Sequence, residues 1–365
     1  MTDTLTDLTI TEAAALIARR DLSPVELVAA HLARIVDLDP KLHAFITLTG
    51  QDARRAARAA EAEIMAGRTR GPLHGIPIAH KDIIQTRGVR TTAHSNLLRD
   101  WVPDHSAAVV ESLEAAGAIS LGKTALHEFA FGSPGEDEAF PAARNPWNPD
   151  HMPGSSSSGS GSAVAARLVM GATGTDTGGS VRHPAAVCAI VGMKPTYGRV
   201  SCHGVIPLAP SMDHVGPMTR TVADNALMLQ AIAGADARDP ASINALVPDF
   251  SALIGRDLKG ARIGVPQTFV ASIEHTAETL TAFAQAVILL QHLGAEIVDI
   301  DPDGLAESHD AGSLIIRAEA YRYHRATLER EPNKLSVNLR ARFAKAHLVT
   351  DDQVTAARRA MQRLR

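Results

Sequence analysis

Near the start of the chain, apolar and polar positions alternate with a helical period over Thr11-Glu12-Ala13-Ala14-Ala15-Leu16-Ile17-Ala18-Arg19-Arg20. Ser23-Pro24-Val25-Glu26 then opens a second helix with a capping serine, proline at the first helical position and an early acid. A third helix is predicted over 51–65, and Gly71-Pro72-Leu73-His74-Gly75 turns into a short strand, Ile76-Pro77-Ile78-Ala79-His80-Lys81. Further on, 106–116 reads as an amphipathic helix with Val109, Val110 and Leu113 on its apolar face, followed after Gly117 by the strand Ala118-Ile119-Ser120-Leu121. Strand 261–266, helix 276–293 and strand 295–300 make a βαβ unit, which requires a parallel pair, so the class is α/β. From 305 to 365 the pattern is helical and highly charged, and Gly234–Pro240 is the best surface-loop candidate.

Two serine-glycine stretches interrupt this alternation, Gly154-Ser155-Ser156-Ser157-Ser158-Gly159-Ser160-Gly161-Ser162 and Gly174-Thr175-Asp176-Thr177-Gly178-Gly179-Ser180. Composition alone favours a flexible linker for the first and a tight turn for the second. The flanks argue otherwise. Ala163–Met170, an apolar helix-forming segment, follows the first stretch without pause, so its serines read as caps. The second leads through Arg182-His183-Pro184 into the buried-looking run Ala185–Gly192. Exposed hydroxyls on a backbone with little side-chain cover are what acyl transfer needs, because the nucleophile must be reachable and the oxyanion must meet N–H donors already aimed at it.

Composition narrows the class. The 365 residues, 45% hydrophobic and 21% charged, can bury a large core. A net charge of −4 without a block of like charges, and 4% aromatics, give no footprint for nucleic acid or an anionic membrane. Cys188 and Cys202 alone form neither a disulfide framework nor a thiolate metal site, which suits a reducing cytoplasm. The acidic N-terminus does not read as a signal peptide, and no apolar run has the length of a membrane span.

Competing motifs fail on context. Gly117–Thr124 has the spacing G-x-x-x-x-G-K-T, yet a helix precedes Gly117 and an apolar strand fills the interval where a phosphate cradle needs a polar loop. Ser120-Leu121-Gly122-Lys123 spells S-x-x-K at a strand end, with no Lys-Thr-Gly elsewhere. His127-Glu128 lacks the second histidine of H-E-x-x-H, so no metal is expected, and His80, His94 and His183 are expected in ordinary hydrogen bonds. Lys81 at a strand end would usually be solvated. Beside buried hydroxyls it can instead sit neutral and accept a proton, with one serine relaying it from another.

Over essentially its whole length the chain resembles the amidase signature family of serine hydrolases. The matching segments are Gly71–Asp82, Gly122-Lys123-Thr124 with His127–Ala130, Arg144-Asn145-Pro146-Trp147, both Ser/Gly stretches, Gly192–Val200 and Asp213–Pro217. The resemblance implies a central mixed β-sheet flanked by helices. It implies a Ser-cisSer-Lys triad of Lys81, Ser156 and Ser180, with a non-proline cis bond entering Ser156, and an oxyanion hole from the backbone N–H groups of Thr177, Gly178 and Gly179. Asp176 and Arg182 are then structural supports, and no cofactor is needed.

A single domain over 1–365 is expected, with a helical region about 1–67, a catalytic core about 71–230 and a C-terminal α/β and helical region about 255–365. Family members commonly have glycine at the positions of Ser155 and Ser158, and they continue past Arg365 with strands that complete the sheet, so the fold is expected to be incomplete there. The leading expectation is a stand-alone cytoplasmic amidase acting on a small-molecule amide, open to homo-oligomerisation, with no membrane and no nucleic-acid partner. The rival within the family is the glutaminase A-subunit of a glutamyl-tRNA(Gln) or aspartyl-tRNA(Asn) amidotransferase, which works in a complex. From another class, a truncated non-catalytic remnant or interaction subunit would keep the motifs without turnover.

Overall fold

A computed structural model describes residues 2–135, 137–302 and 304–363 of the chain. These fall into two compact units. The larger holds the residues through Ser251 together with Ile316–Thr350, and the smaller holds Ala252–Ile315 with the residues from Asp351 onward. The region expected from about 255 onward is divided between the two, with Ile316–Thr350 in the larger unit.

The first helices form where their caps dictate. Thr9 and Glu12 close a capping box on Ile10–Arg19, and Ser23 and Glu26 close another on Pro24–Leu42, whose first turn carries Pro24. Gly50–Met65 follows, burying Ala53, Ala57 and Ala60 at helical spacing.

Six strands make the central sheet: β1 (Phe45–Leu48), β2 (Pro77–Lys81), β3 (Ile119–Thr124), β4 (Gly171–Thr175), β5 (Val191–Gly192) and β6 (Val215–Thr219), in the order β1-β3-β2-β4-β6-β5. The sheet is mixed. β2 runs parallel to β3 and β4, while β1/β3, β4/β6 and β5/β6 are antiparallel. Successive residues of β2 enter opposite layers, Ile78 joining the cluster of Ile10, Leu27 and Met228, and Ala79 that of Val28, Ile35 and Leu168. A strand covered on both faces is buried throughout, as β2 is. Because β2 and β4 are parallel, with His80 opposite Thr173, the strand ends bearing Lys81 and Thr175 emerge at the same end of the sheet. That is where open α/β sheets gather functional groups.

Two local expectations are corrected. The helix expected over Ala163–Met170 runs instead over Ser158–Ala165, and Ser157 makes no capping bond with its side chain. The cause is close packing: a Cβ on Gly159 would collide with the backbone of Ala125 and Ala44, and one on Gly161 would stand 3.0 Å from Pro184 Cβ. Likewise, Ala185–Gly192 is not one buried run. It divides between the helix Arg182–Val187 and edge strand β5, leaving Ala186 and Val187 exposed while Cys188 is buried.

In the smaller unit, β7 (Arg262–Val265) and β8 (Glu296–Asp299) pair in parallel on either side of the helix Ala277–His292, which is the expected βαβ unit. No helix among the described residues is long and apolar enough to cross a membrane.

Candidate active site

Lys81 ends β2 with none of its surface exposed. Its Nζ donates to Ser156 Oγ at 2.8 Å and to Thr175 Oγ1 at 2.7 Å. Burial lowers its pKa from 10.5 to about 7, against the opposing pull of the Asp176 and Asp213 carboxylates. Ser156 is 2% exposed, and its N–H points to Ser180 Oγ at 3.4 Å, so the residue touches the lysine with its side chain and the second serine with its backbone. Ser180 itself is half-buried and reachable.

The cis linkage expected before Ser156 is absent, because all described peptide bonds are trans. Ser156 Oγ reaches the lysine from a trans bond.

The turn after β4 is organised by one carboxylate. Asp176 accepts the N–H groups of Gly179 at 2.8 Å, Val181 at 3.2 Å and Arg182 at 3.3 Å, and takes the Arg182 fork through Nε at 3.0 Å and Nη2 at 2.9 Å. Burial pushes its pKa up, but the guanidinium and the N–H donors outweigh that and hold it below the usual carboxylate range. Gly179 takes φ +120°, which a side chain would resist. Of the three N–H groups expected to meet an oxyanion, that of Gly179 is thus engaged by Asp176. Those of Thr177 and Gly178 have no partner among the described residues, and Gly178 is exposed.

Several residues here had no assigned role in the sequence reading. Thr175 follows from strand register: Thr173 is paired with His80, so Thr175, two residues on, lies past the paired stretch at the lysine's end of the sheet. Ser157 Oγ accepts the Thr175 N–H and donates to the Thr175 carbonyl, both at 3.2 Å, which fixes that threonine. Asp213 accepts the Thr177 hydroxyl at 2.6 Å. His127 donates its N–H to the Ser156 carbonyl at 3.3 Å, and burial, then the neighbouring Lys81 charge, lowers its ring pKa to about 3. Ser155 Oγ is buried without a partner among the described residues.

The rejected motif over Gly117–Thr124 is strand β3, and its lysine faces inward. Lys123 Nζ donates to Thr91 Oγ1 at 2.7 Å and lies 3.6 Å from Asp82, so it is a packed structural lysine. His80 bonds Thr173 Oγ1 and His94 bonds the Phe140 carbonyl, both at 3.0 Å, as ordinary core histidines do.

A family model described as Amidase matches residues 26–363. A curated relative, the glutamyl-tRNA(Gln) amidotransferase A-subunit of Methylococcus capsulatus, is 54% identical over 261 residues, covering 72% of this chain and 54% of the relative. The chain thus spans about half the length of that protein. The native peptide amidase of Stenotrophomonas maltophilia has a similar structure, with TM-score 0.87 at 34% identity, covering 98% of this chain and 79% of that one. The glutamyl-tRNA(Gln) amidotransferase A-subunit from Thermotoga maritima matches with TM-score 0.80 at 32% identity, covering 99% and 76% of the two chains.

Proposed function

The chain belongs to the amidase family, and from that premise we propose that it cleaves a carboxylic amide C–N bond through an acyl-enzyme on Ser180. The observation that carries this reading is the fully buried Lys81 amine, with pKa lowered to about 7, held between the hydroxyls of Ser156 and Thr175.

A neutral amine keeps two N–H donors and one lone pair. One N–H serves Thr175, and rotation of the Ser156 hydroxyl turns its proton toward the lone pair. Lys81 takes that proton as Ser156 takes the one on Ser180, and Ser180 Oγ bonds to the carbonyl carbon. The resulting oxyanion is met by the N–H groups of Thr177 and Gly178, in a turn fixed by Asp176 and Arg182. Collapse breaks the C–N bond, the proton returns through Ser156 to the leaving nitrogen, and water hydrolyses the ester by the same route. This chain's residues supply every step, with no cofactor invoked.

Two forms of this activity are distinguishable. The relative that is 54% identical favours the glutaminase component of a tRNA-dependent amidotransferase, in which glutamine is the amide and partner subunits use the ammonia. A stand-alone amidase, the form expected first from sequence, is favoured by the closer structural match to the peptide amidase, 0.87 against 0.80. We give precedence to the glutaminase reading on the strength of sequence identity.

The test is ammonia release by the purified chain from glutamine and from a panel of primary alkyl, aryl and peptide amides, with Ser180→Ala and Lys81→Ala as controls. Glutamine as the best substrate supports the glutaminase reading, whereas a preferred aryl or peptide amide supports the stand-alone form. Turnover that survives either substitution refutes the mechanism. A folded chain that neither turns over an amide nor reacts with a fluorophosphonate at Ser180 is the non-catalytic remnant.

A further inference from the structure

Strand pairing between β4 and β6 runs in strict antiparallel register, with Gly171 opposite Thr219 and Thr175 opposite Val215. One rung further, Asp176 and His214 exchange both backbone bonds, at 2.9 and 3.1 Å. The next rung is Thr177 opposite Asp213, and there the backbone ladder stops: the N–H groups of Met212 and Asp213 both turn back to the Ala209 carbonyl, at 2.8 and 2.9 Å. At this position, which carries no backbone bonds in a regular antiparallel ladder, a side-chain bond ties the two strands, Thr177 Oγ1 donating to Asp213 Oδ1 at 2.6 Å. The Thr177 N–H, one position past a bonded pair, points away from the partner strand, and the Gly178 N–H is left open because Met212, which would pair with it, has turned back to Ala209.

The acceptor cannot follow Thr177 if that residue moves. The Asp213 carboxylate also accepts the N–H of Leu208 at 2.9 Å and that of Ala209 at 3.0 and 3.1 Å, and it is 9% exposed. The far side of the turn is clamped by Asp176 on Gly179, Val181 and Arg182, but that clamp reaches neither Thr177 nor Gly178. The hydroxyl of Thr177 is therefore the side-chain tie on the segment that carries both open donors.

We propose that Asp213 and the Thr177 hydroxyl form a positioning pair that aims the Thr177 and Gly178 N–H groups at the developing oxyanion. Neither side chain touches the substrate in this arrangement. Asp213 acts on Thr177, and Thr177, together with the His214 N–H that holds the Asp176 carbonyl, sets the two peptide planes. The inference rests on the acyl-enzyme reading above, because an oxyanion forms only if Ser180 is acylated.

The experiment compares Thr177→Val, which keeps shape and removes the hydroxyl, with Thr177→Ser, which keeps the hydroxyl. Melting temperature and the second-order rate of fluorophosphonate labelling at Ser180 are measured for each, with kcat and KM on the best amide of the panel. Removing a whole oxyanion donor costs about 100-fold to 1,000-fold in kcat, so misaiming donors that remain should cost about 10- to 100-fold in kcat and labelling rate. KM should stay within about twofold, and Thr177→Ser should restore most of the loss. Asp213→Asn should show the same kcat-selective defect, and the double variant with Thr177→Val should be no worse than the more affected single one, because the two act as one unit. Wild-type kcat and labelling in a folded Thr177→Val would overturn the proposal, as would additive losses in the double variant. Ser180→Ala run alongside separates the two claims: if it cannot be labelled while Thr177→Val matches wild type, only the positioning pair fails. If Ser180→Ala is labelled and active, the acyl-enzyme reading fails and takes the pair with it.

Discussion

Consider the effect of pH on a site whose base is Lys81. Its pKa falls from 10.5 to about 7, and at about 1.4 kcal/mol per pH unit this is roughly 5 kcal/mol by which the buried site disfavours the ammonium. For a base lowered on folding, the unfolded chain binds the proton more readily between the two values. The cost to stability is thus fully present below pH 7, shrinks as pH rises, and is gone above 10.5. Catalysis needs the neutral amine, so kcat/KM should fall about tenfold per unit below an apparent pKa near 7. Lys81→Met should also be more stable than wild type near pH 6, and the difference should shrink toward pH 10. The assays are a pH–rate profile from pH 5 to 10 and urea unfolding of both proteins across the same range. A limb near pH 10, or activity flat from pH 5 to 9, would refute the claim that burial keeps this amine neutral. So would a stability difference that grows with pH.

Other substitutions probe the surroundings. Ser156→Ala removes the hydroxyl between base and nucleophile while keeping the backbone N–H that faces Ser180, and should lower kcat by about 100- to 10,000-fold in a steady-state assay while leaving the fold intact. Thr175→Val takes away one acceptor of the Lys81 amine; the charged form loses more, so the acid limb should move to lower pH in the rate profile. Arg182→Met leaves the buried Asp176 carboxylate without its fork, and since the arginine side chain is itself 54% exposed the loss should be about 1–3 kcal/mol by denaturant melts. Arg182→Lys should not restore it, because an ammonium cannot donate bidentately. Gly159→Ala drives a methyl into the backbone of Ala125 and Ala44 and should cost about 2–3 kcal/mol in the same melts, or prevent folding.

The sheet was legible where hydrophobic period and caps agreed. Pro24 at a helix start, alanines at helical spacing over 53–60, and the Arg262–Asp299 βαβ unit all lie where the pattern places them. Lys81 stood out as a strand-end lysine near two serine-glycine stretches, whereas Ser156 was singled out of its serine run only by the resemblance to the family. Thr175, Ser157 and Asp213 could not be given roles, because each depends on register or on a bend. Thr175 meets the lysine only once β2 and β4 are paired in parallel, and Asp213 meets Thr177 only where an antiparallel ladder ends. The Ser/Gly run misled for a related reason. Its glycines suggested an open backbone beside a helix, yet Gly159 and Gly161 are inside the helix, allowing it to press against the neighbouring chain. Small residues in a run can mean freedom or contact, and only the neighbours decide which.

The two carboxylates near the lysine resolve an apparent conflict in the site. Burial alone would drive the Lys81 amine further down, to a base too weak to take a serine proton near neutrality, and Asp176 and Asp213 pull it back up to about 7. Each carboxylate has a second task, Asp176 holding the N–H of Gly179 and Asp213 holding the hydroxyl of Thr177. The groups that tune the base are therefore the groups that shape the turn opposite it. A charge-removing change at either position should shift the acid limb of the pH–rate profile downward and lower the plateau together, whereas Thr177→Val, which removes no charge, should lower the plateau and leave the limb in place. If Asp213→Asn lowered the plateau without moving the limb, the coupling of base strength to turn geometry through shared carboxylates would be wrong.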